Sequence, residues 1–404
     1  MSLNETVSAE RLHIAFFGKR TAGKSSLVNA VTDQKLAVVS EVPGTTTDPV
    51  KKAMELLPLG PVVIIDTPGY DDEGELGALR VEKTNEILEK TDVAVLVYDA
   101  SVGIHAEDRA LLEKLKARKL PVVLAANKCD LASAGAAIGR PPEGEAPMLL
   151  SALTGEGVRE LKERLAALGR TAKAPKYILA DLVSPGDRVI LVTPIDESAP
   201  KGRLILPQQL TLRELLDLHC VPICCQVEEL SNLLDALNTP PRLVVTDSQA
   251  FGRVSPLVPI SIPLTSFSIL FARYKGELRQ LAEGARALSA LKDGDRVLIS
   301  EGCTHHRQCN DIGTVKIPGW VRNYTGKALD FSFTSGGEFP EELSAYDLVI
   351  HCGGCMLNEA AMKHRMEVAR RCGVPMVNYG VAIAQMHGIL SRSLEPFQEA
   401  LSLH

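Results

Sequence analysis

Two groups of residues in this chain are spaced for chemistry, and they lie far apart in it. Near the start, Gly18-Lys19-Arg20-Thr21-Ala22-Gly23-Lys24-Ser25 fits the phosphate-loop pattern G-x-x-x-x-G-K-[ST]. Near the end, Cys303-x-His305 is followed by His351-Cys352-x-x-Cys355. The first is the chemistry of phosphate and magnesium, and the second, built of thiolates and imidazoles, is that of a transition metal. A nucleotide hydrolase joined to a thiolate-rich centre implies that a metal cluster is being built, carried or handed over.

In the phosphate loop, glycines let backbone N–H groups wrap the phosphates, Lys24 reaches the β and γ oxygens, and the Ser25 hydroxyl ligates Mg²⁺. Nucleotide contacts are therefore expected from Arg20, Thr21, Ala22, Gly23, Lys24, Ser25 and Ser26. Asp66-Thr67-Pro68-Gly69 closes the apolar run VVIID, where Asp66 can hold the magnesium shell and the Gly69 N–H can sense the γ-phosphate. Asn127-Lys128-Cys129-Asp130 closes PVVLAANK, and Asp130 can accept from the guanine N1–H and N2 amine, a pair of donors adenine lacks. Ser151-Ala152-Leu153 matches the loop that backs the guanine O6. Four motifs in this order select GTP.

In the run 43–48, PGTTTD, Thr45 and Thr46 stand where the first switch should be, with Thr46 expected to join the Mg²⁺ shell. Lys24, Thr46 and Gly69 are then the catalytic groups. Tyr70 occupies the place where a Ras-type GTPase keeps its water-orienting glutamine, so intrinsic hydrolysis should be slow.

The candidate metal ligands are Cys303, Cys352 and Cys355, with His305 or His351 as a possible fourth. Both groups follow short apolar strands, RVLIS and DLVIH, and so sit at carboxyl ends, where α/β sheets place their ligands. The glycines of Cys352-Gly353-Gly354-Cys355 let the backbone bend close and aim N–H groups at sulfur. Three cysteines and a histidine also make a closed zinc site, so spacing leaves iron–sulfur and zinc equally open, with buried thiols as a third reading. His306, Cys309, Asn310 and Asp311 are weaker donors. Vicinal Cys224-Cys225 reads as packing, and Cys129, Cys220 and Cys372 as structural.

The elements that must position these groups follow the apolar pattern. LHIAFFG, VVIID, DVAVLVYD, PVVLAANK and MLLSAL alternate with helical stretches, one of them over Glu107–Lys116, which predicts a doubly wound, mainly parallel sheet in a GTPase domain over 1–170. The polar, basic segment 169–177 reads as a linker. A second α/β unit over 178–265 carries no catalytic motif, which points to docking or oligomerisation. A long helical stretch, SFSILFARYKGELRQLAEGARALSAL, opens a third α/β unit over 266–404. The chain of 404 residues has net charge −6 and no basic stripe, which argues against nucleic acid. It has no leader pattern and no apolar run of about 18 residues, so a cytoplasmic protein without membrane contact is expected. In that reducing compartment its nine cysteines point to metal or structural thiols rather than disulfides.

Resemblance sharpens this reading. PGTTTD and DTPG resemble the TrmE-Era branch of GTPases, some of which use K⁺ in place of an arginine finger. Those carry asparagine where this chain has Thr21, whose hydroxyl could supply one K⁺ ligand. GTTTDP, the run SPGDRVILVTPIDESAPKGRLILPQQ, and C-x-H followed by H-C-x-x-C together resemble the HydF family, GTPase scaffolds that mature [FeFe]-hydrogenase, across essentially the whole chain. That resemblance implies a GTPase domain, a central dimerisation domain and a C-terminal iron–sulfur cluster domain. It also implies a [4Fe–4S] cluster on Cys303, Cys352 and Cys355 with a labile fourth position, for which His305 is preferred over His351 and Asp311. GTP and Mg²⁺ complete the cofactors, with K⁺ as a further candidate. The implied work is to accept a diiron precursor bearing CO and cyanide and deliver it to apo-[FeFe]-hydrogenase, as a homodimer with the radical-SAM maturases as partners. The rivals are a tRNA-modification GTPase and a zinc-bearing regulatory GTPase. A G domain at the start of the chain, and an end (EALSLH) without a cysteine motif, count against the first.

Overall fold

The computed structural model describes residues 10–33, 49–57, 59–69, 83–131, 146–172, 176–195, 204–302 and 311–398. Thr45, Thr46, Tyr70, Cys303, His305, His306, Cys309 and Asn310 lie outside them. The chain divides into two compact units, Met1–Pro175 and Lys176–His404.

The first unit is a six-stranded sheet in the order β2-β3-β1-β4-β5-β6. Its strands are β1 (Leu12–Phe17), β2 (Val50–Leu56), β3 (Gly60–Asp66), β4 (Val93–Asp99), β5 (Val122–Asn127) and β6 (Met148–Leu149), with helices α1 (Lys24–Thr32), α2 (Ala106–Ala117) and α3 (Val158–Ala172). β1 and β4 are apolar almost throughout and buried on both sides of the sheet, as strands of a covered parallel sheet must be. β2 alone runs antiparallel, beside β3. Its alternating exposed and half-covered residues mark an edge with one wet face. Helix α3 extends into the segment expected as linker, as far as Ala172. Gly169 explains part of this: a Cβ there would fall 2.6 Å from Leu59 Cδ2 and 2.8 Å from Leu12 Cδ2, so this turn is packed against the sheet and is not spacer.

The second unit holds two four-stranded parallel sheets, ordered β10-β9-β7-β8 and β12-β11-β13-β14. The first comprises β7 (Arg188–Val192), α4 (Leu206–Asp217), β8 (Val221–Cys225), α5 (Leu230–Ala236), β9 (Leu243–Thr246) and β10 (Leu264–Ser266). The expected long helix is two, α6 (Phe267–Lys275) and α7 (Leu278–Leu288), parted at Gly276, where Met366 sulfur and the Ala272 carbonyl crowd the backbone. The last sheet follows with β11 (Arg296–Glu301), α8 (Ile317–Thr325), β12 (Asp330–Ser335), β13 (Leu348–His351), α9 (Glu359–Arg371), β14 (Met376–Asn378) and α10 (Tyr379–Met386).

One hydrophobic core runs from Ile178 to Phe397, so the second and third of the expected parts share a single interior. The carboxyl ends of the two sheets meet within it. Asn378 Nδ2 donates to the Ser268 carbonyl at 2.9 Å, and a Cβ on Gly380 would fall 2.5 Å from Ser268 Cβ and 3.0 Å from Ser248 Oγ. Strand order decides where a site can form. The chain leaves β11 for β12 on one side, then continues from β13 to β14 on the other, so the loops after β11 and β13 diverge and leave a crevice.

Candidate functional site

In the first unit the phosphate loop springs from the end of β1 and hands over to α1 at Lys24. The Lys24 ammonium folds back to donate to the carbonyls of Gly18 and Lys19, both at 2.7 Å, which holds the loop in the curve a phosphate needs. Ser25 Oγ donates to Asp66 Oδ2 at 2.5 Å, so the two expected magnesium groups touch, one at the start of α1 and the other at the end of β3. Burial raises the Asp66 carboxyl pKa, opposed by the Ser25 hydrogen bond and the Lys24 charge. Asp66 Oδ1 is buried and has no hydrogen-bond partner among the described residues, an oxygen suited to the shell of a cation. Gly69 is buried at the end of the same segment.

Asn127 binds the motifs to one another. Its Nδ2 donates to the Ala22 carbonyl at 3.0 Å and its Oδ1 accepts from the Ala152 N–H at 3.0 Å, joining phosphate loop and guanine loop through one amide. Lys128 Nζ pairs with Asp99 Oδ2 at 2.7 Å. Ser151 Oγ, wholly buried, accepts from the Thr154 N–H. Asp130 and Thr21 are exposed, and Arg20 and Ser26 half-buried. Lys19 reaches Glu107 on α2 at 2.9 Å. Asp99, which orients Lys128, went unread in the sequence, although its place at the end of an apolar strand was a signal.

In the second unit, Ser300 on β11 is in register with His351 on β13, and the Cys352 N–H donates to the Ser300 carbonyl at 2.9 Å. The Gly302 N–H then donates to Cys352 Sγ at 3.0 Å, and the Gly354 N–H does so at 3.3 Å. The residue before Cys303 thus rests on the sulfur of Cys352, at the crevice the strand order creates. Burial and the neighbouring Cys355 push the Cys352 thiol up to about 11, against the pull of those two N–H groups. A thiol held neutral in this way, yet already bonded by amides that favour its thiolate, fits a cationic metal core that would supply the missing charge.

His351 is not placed to bind metal. It is fully buried, its Nδ1 lies 2.7 Å from the Cys352 carbonyl and its Nε2 lies 2.9 Å from Arg365 Nη1. Burial, with the Arg365 charge, lowers its pKa to about 3, so the ring is neutral, donating through Nδ1 and accepting through Nε2. Both nitrogens are occupied, and the expectation of a ligand there gives way to that of a brace. Asp311 Oδ2 is likewise engaged, accepting from the N–H and hydroxyl of Thr314, both at 2.8 Å.

Three further groups at this crevice were not singled out in the sequence. Arg365 stands on the apolar face of α9 with Ala361, Met362 and Ala369, and a cation inside an i, i+3, i+4, i+7 stripe was the available signal. Lys275 ends α6 and donates to the Cys355 carbonyl at 3.1 Å. Glu301, buried at the end of β11, accepts from the Tyr379 hydroxyl at 3.3 Å.

Comparison with known families decides the assignment. Residues 178–276 match the hydrogen maturase F dimerization domain and residues 279–396 the hydrogen maturase F tetramerization domain, while residues 13–128 match a 50S ribosome-binding GTPase model. The chain belongs to the hydrogen maturase F family. Among curated proteins, the tRNA modification GTPase MnmE of Heliobacterium modesticaldum is 41% identical over 36% of this chain and 32% of its own length. That of Prochlorococcus marinus is 34% identical over 43% of the chain and 38% of its own. The chain therefore spans only about a third of the length of the curated relatives it matches. Era of Aquifex aeolicus bound to GDP·AlF4⁻ superposes with a TM-score of 0.36 at 21% identity, over 53% of this chain and 92% of that one. In this chain the GTPase match precedes the dimerization and tetramerization segments, and both units are α/β. Among the described residues no helix is long and apolar enough to cross a membrane.

Proposed function

We propose that this member of the family is a GTP-hydrolysing scaffold that holds a [4Fe–4S] cluster on Cys303, Cys352 and Cys355, accepts a diiron precursor and delivers it to apo-[FeFe]-hydrogenase. The observation that carries the proposal is the 3.0 Å hydrogen bond from the Gly302 N–H to Cys352 Sγ at the crevice between β11 and β13, because it brings the backbone leading to Cys303 onto the Cys352-x-x-Cys355 loop. When bound, a cluster held by three thiolates offers one iron with a displaceable ligand at which a second metal fragment can dock. With both nitrogens of His351 taken, His305 is the preferred histidine for that fourth position.

In the first unit, Lys24 and Ser25 with Mg²⁺ would hold the phosphates, Asp66 the metal shell, Asp130 the guanine, and Thr46 and Gly69 the γ-phosphate that orders the switch loops. GTP hydrolysis would release those loops and so drive exchange of partners, as in other γ-phosphate switches. Thr21 offers one oxygen to K⁺, and faster hydrolysis in KCl than in NaCl is the result expected. The protein would work as a homodimer or higher oligomer in the cytoplasm with the radical-SAM maturases, through residues 178–276 and 279–396, whose family models carry oligomerisation in their descriptions.

The test is iron, sulfide and zinc content with EPR on anaerobically purified, dithionite-reduced protein, beside Cys303→Ala. About four irons per chain and a signal lost in the variant are expected. Stoichiometric zinc with no signal, even after anaerobic reconstitution, would leave a zinc-bearing GTPase instead.

A further inference from the structure

Lys275 and Arg365 are each 2% exposed, and each is bonded to the thiolate loop. The Lys275 ammonium donates to the carbonyls of Cys355 at 3.1 Å and Leu357 at 2.9 Å, and lies 5.9 Å from the centre of the Phe271 ring. The Arg365 guanidinium bonds His351 Nε2 at 2.9 Å, Ser300 Oγ at 3.3 Å and the Gly336 carbonyl at 2.7 Å, and lies 5.0 Å from the centre of the Phe339 ring. The segment from His351 to Leu357 is therefore held at its start by one buried cation and at its end by another.

Removing a cation from water costs several kcal/mol. Two such residues, each bonded to the short loop that carries two of the three thiols, are placed where negative charge on a bound cluster would add to the stabilisation their own partners give. Three thiolates outweigh the charge of a [4Fe–4S]²⁺ core by one, and one-electron reduction doubles the excess. The cations also come from different parts of the chain: Lys275 falls in the segment matching the dimerization domain and Arg365 in that matching the tetramerization domain.

We propose that Lys275 and Arg365 form an electrostatic clamp on the thiolate centre, fixing the His351–Leu357 loop and stabilising the more negative, reduced state of the cluster bound there. They are positioning residues and not ligands, since each acts through the loop it holds. The inference rests on the iron–sulfur reading above.

The experiment compares full-length Lys275→Met, Lys275→Gln and Arg365→Met with the charge-conserving Lys275→Arg and Arg365→Lys, after anaerobic reconstitution with iron and sulfide. Iron and sulfide content is read first, then the reduced fraction by EPR at fixed solution potentials. At the wild-type midpoint, each neutral variant should show a reduced-to-oxidised ratio lower by on the order of tenfold, as loss of one nearby charge predicts at an effective dielectric of about 20. The charge-conserving variants should recover most of that loss, which a purely structural role would not require. Lys275→Gln keeps a donor for the two carbonyls, so it reports on charge even where Lys275→Met fails to fold. A wild-type cluster with unchanged ratios in the neutral variants overturns the clamp and leaves the scaffold reading standing. Wild-type protein that takes up no iron and sulfide overturns both.

Discussion

The Gly302 N–H donates to Cys352 Sγ at 3.0 Å, so the residue preceding Cys303 is fastened to the first sulfur of the Cys352-x-x-Cys355 loop. The register of β11 and β13 prepares this contact: Ser300 lies opposite His351, the last residue of β13, and β11 ends one residue later at Glu301. The backbone that leads to Cys303 is thereby brought to the strand-end crevice that carries Cys352 and Cys355.

That arrangement has a consequence for metal uptake. Burial holds the Cys352 thiol pKa at about 11, above its ordinary value of 9.0, so the group is protonated near neutral pH and must lose its proton when a metal binds. The apparent affinity for Co²⁺, followed anaerobically by its thiolate charge-transfer band, should rise about tenfold or more per pH unit between pH 6 and 8. An affinity flat across that range would mean that Cys352 is not a ligand.

At the nucleotide site, Asp130 is exposed and free to face a base, while Asn127 is spent on the Ala22 carbonyl and the Ala152 N–H. Asp130→Asn should weaken GTP binding on the order of a hundredfold, since charged hydrogen bonds contribute about 1.5–3 kcal/mol each, and should allow xanthosine triphosphate to bind in its place. Asn127→Ala should instead lower the melting temperature as well as affinity, because it takes this partner from the buried Ala22 carbonyl and the part-buried Ala152 N–H. Competition against a fluorescent GTP analogue, with thermal melts, separates the two. Equal loss of melting temperature in both variants would contradict this division of labour.

Much of this was legible in the sequence for physical reasons. The phosphate loop, Asp66, and the Asn127 and Ser151 motifs are punctuation at strand ends, and apolar runs buried on both faces announce such strands. The thiolate loop was readable for the same reason. What could not be read depends on packing across the chain. Strand β2 looks like a loop until β3 is there to pair with it. At the break, Gly276 leaves room for the sulfur of Met366, which stands on another helix. His351 looked like a ligand because nothing in its own segment shows that Arg365 will take its Nε2.

The buried imidazole also sets an acid limb. The His351 pKa falls from 6.5 to about 3 on folding, by burial and by the Arg365 charge. Between those values the unfolded chain holds more protons than the folded one, so stability is fully present above about pH 6.5 and lost as the pH falls toward 3. The limiting slope is about 1.4 kcal/mol per pH unit from this group. The urea midpoint of the second unit's transition should therefore drop between pH 7 and pH 5, and His351→Gln, which can still accept from Arg365, should flatten that drop. Parallel pH profiles for wild type and variant would assign the limb to other groups.

Gly313 is where the helix leading into α8 is pressed onto the floor of the crevice. A Cβ there would fall 2.5 Å from Glu301 Oε1 and 2.6 Å from the Tyr379 hydroxyl, and both partners are buried and hydrogen-bonded to each other. Neither can retreat without breaking that bond, so Gly313→Ala should destabilise the second unit by about 1–3 kcal/mol, the usual range for overpacking. For a unit of this size the melting temperature should fall on the order of 5 °C. Tyr379→Phe removes one of the two clashing atoms while taking one hydrogen bond from Glu301. The double variant should therefore be less destabilised than the sum of the singles, a coupling that thermal melts of the four proteins would measure. Strict additivity would mean that residue 313 does not bear on the Glu301–Tyr379 pair.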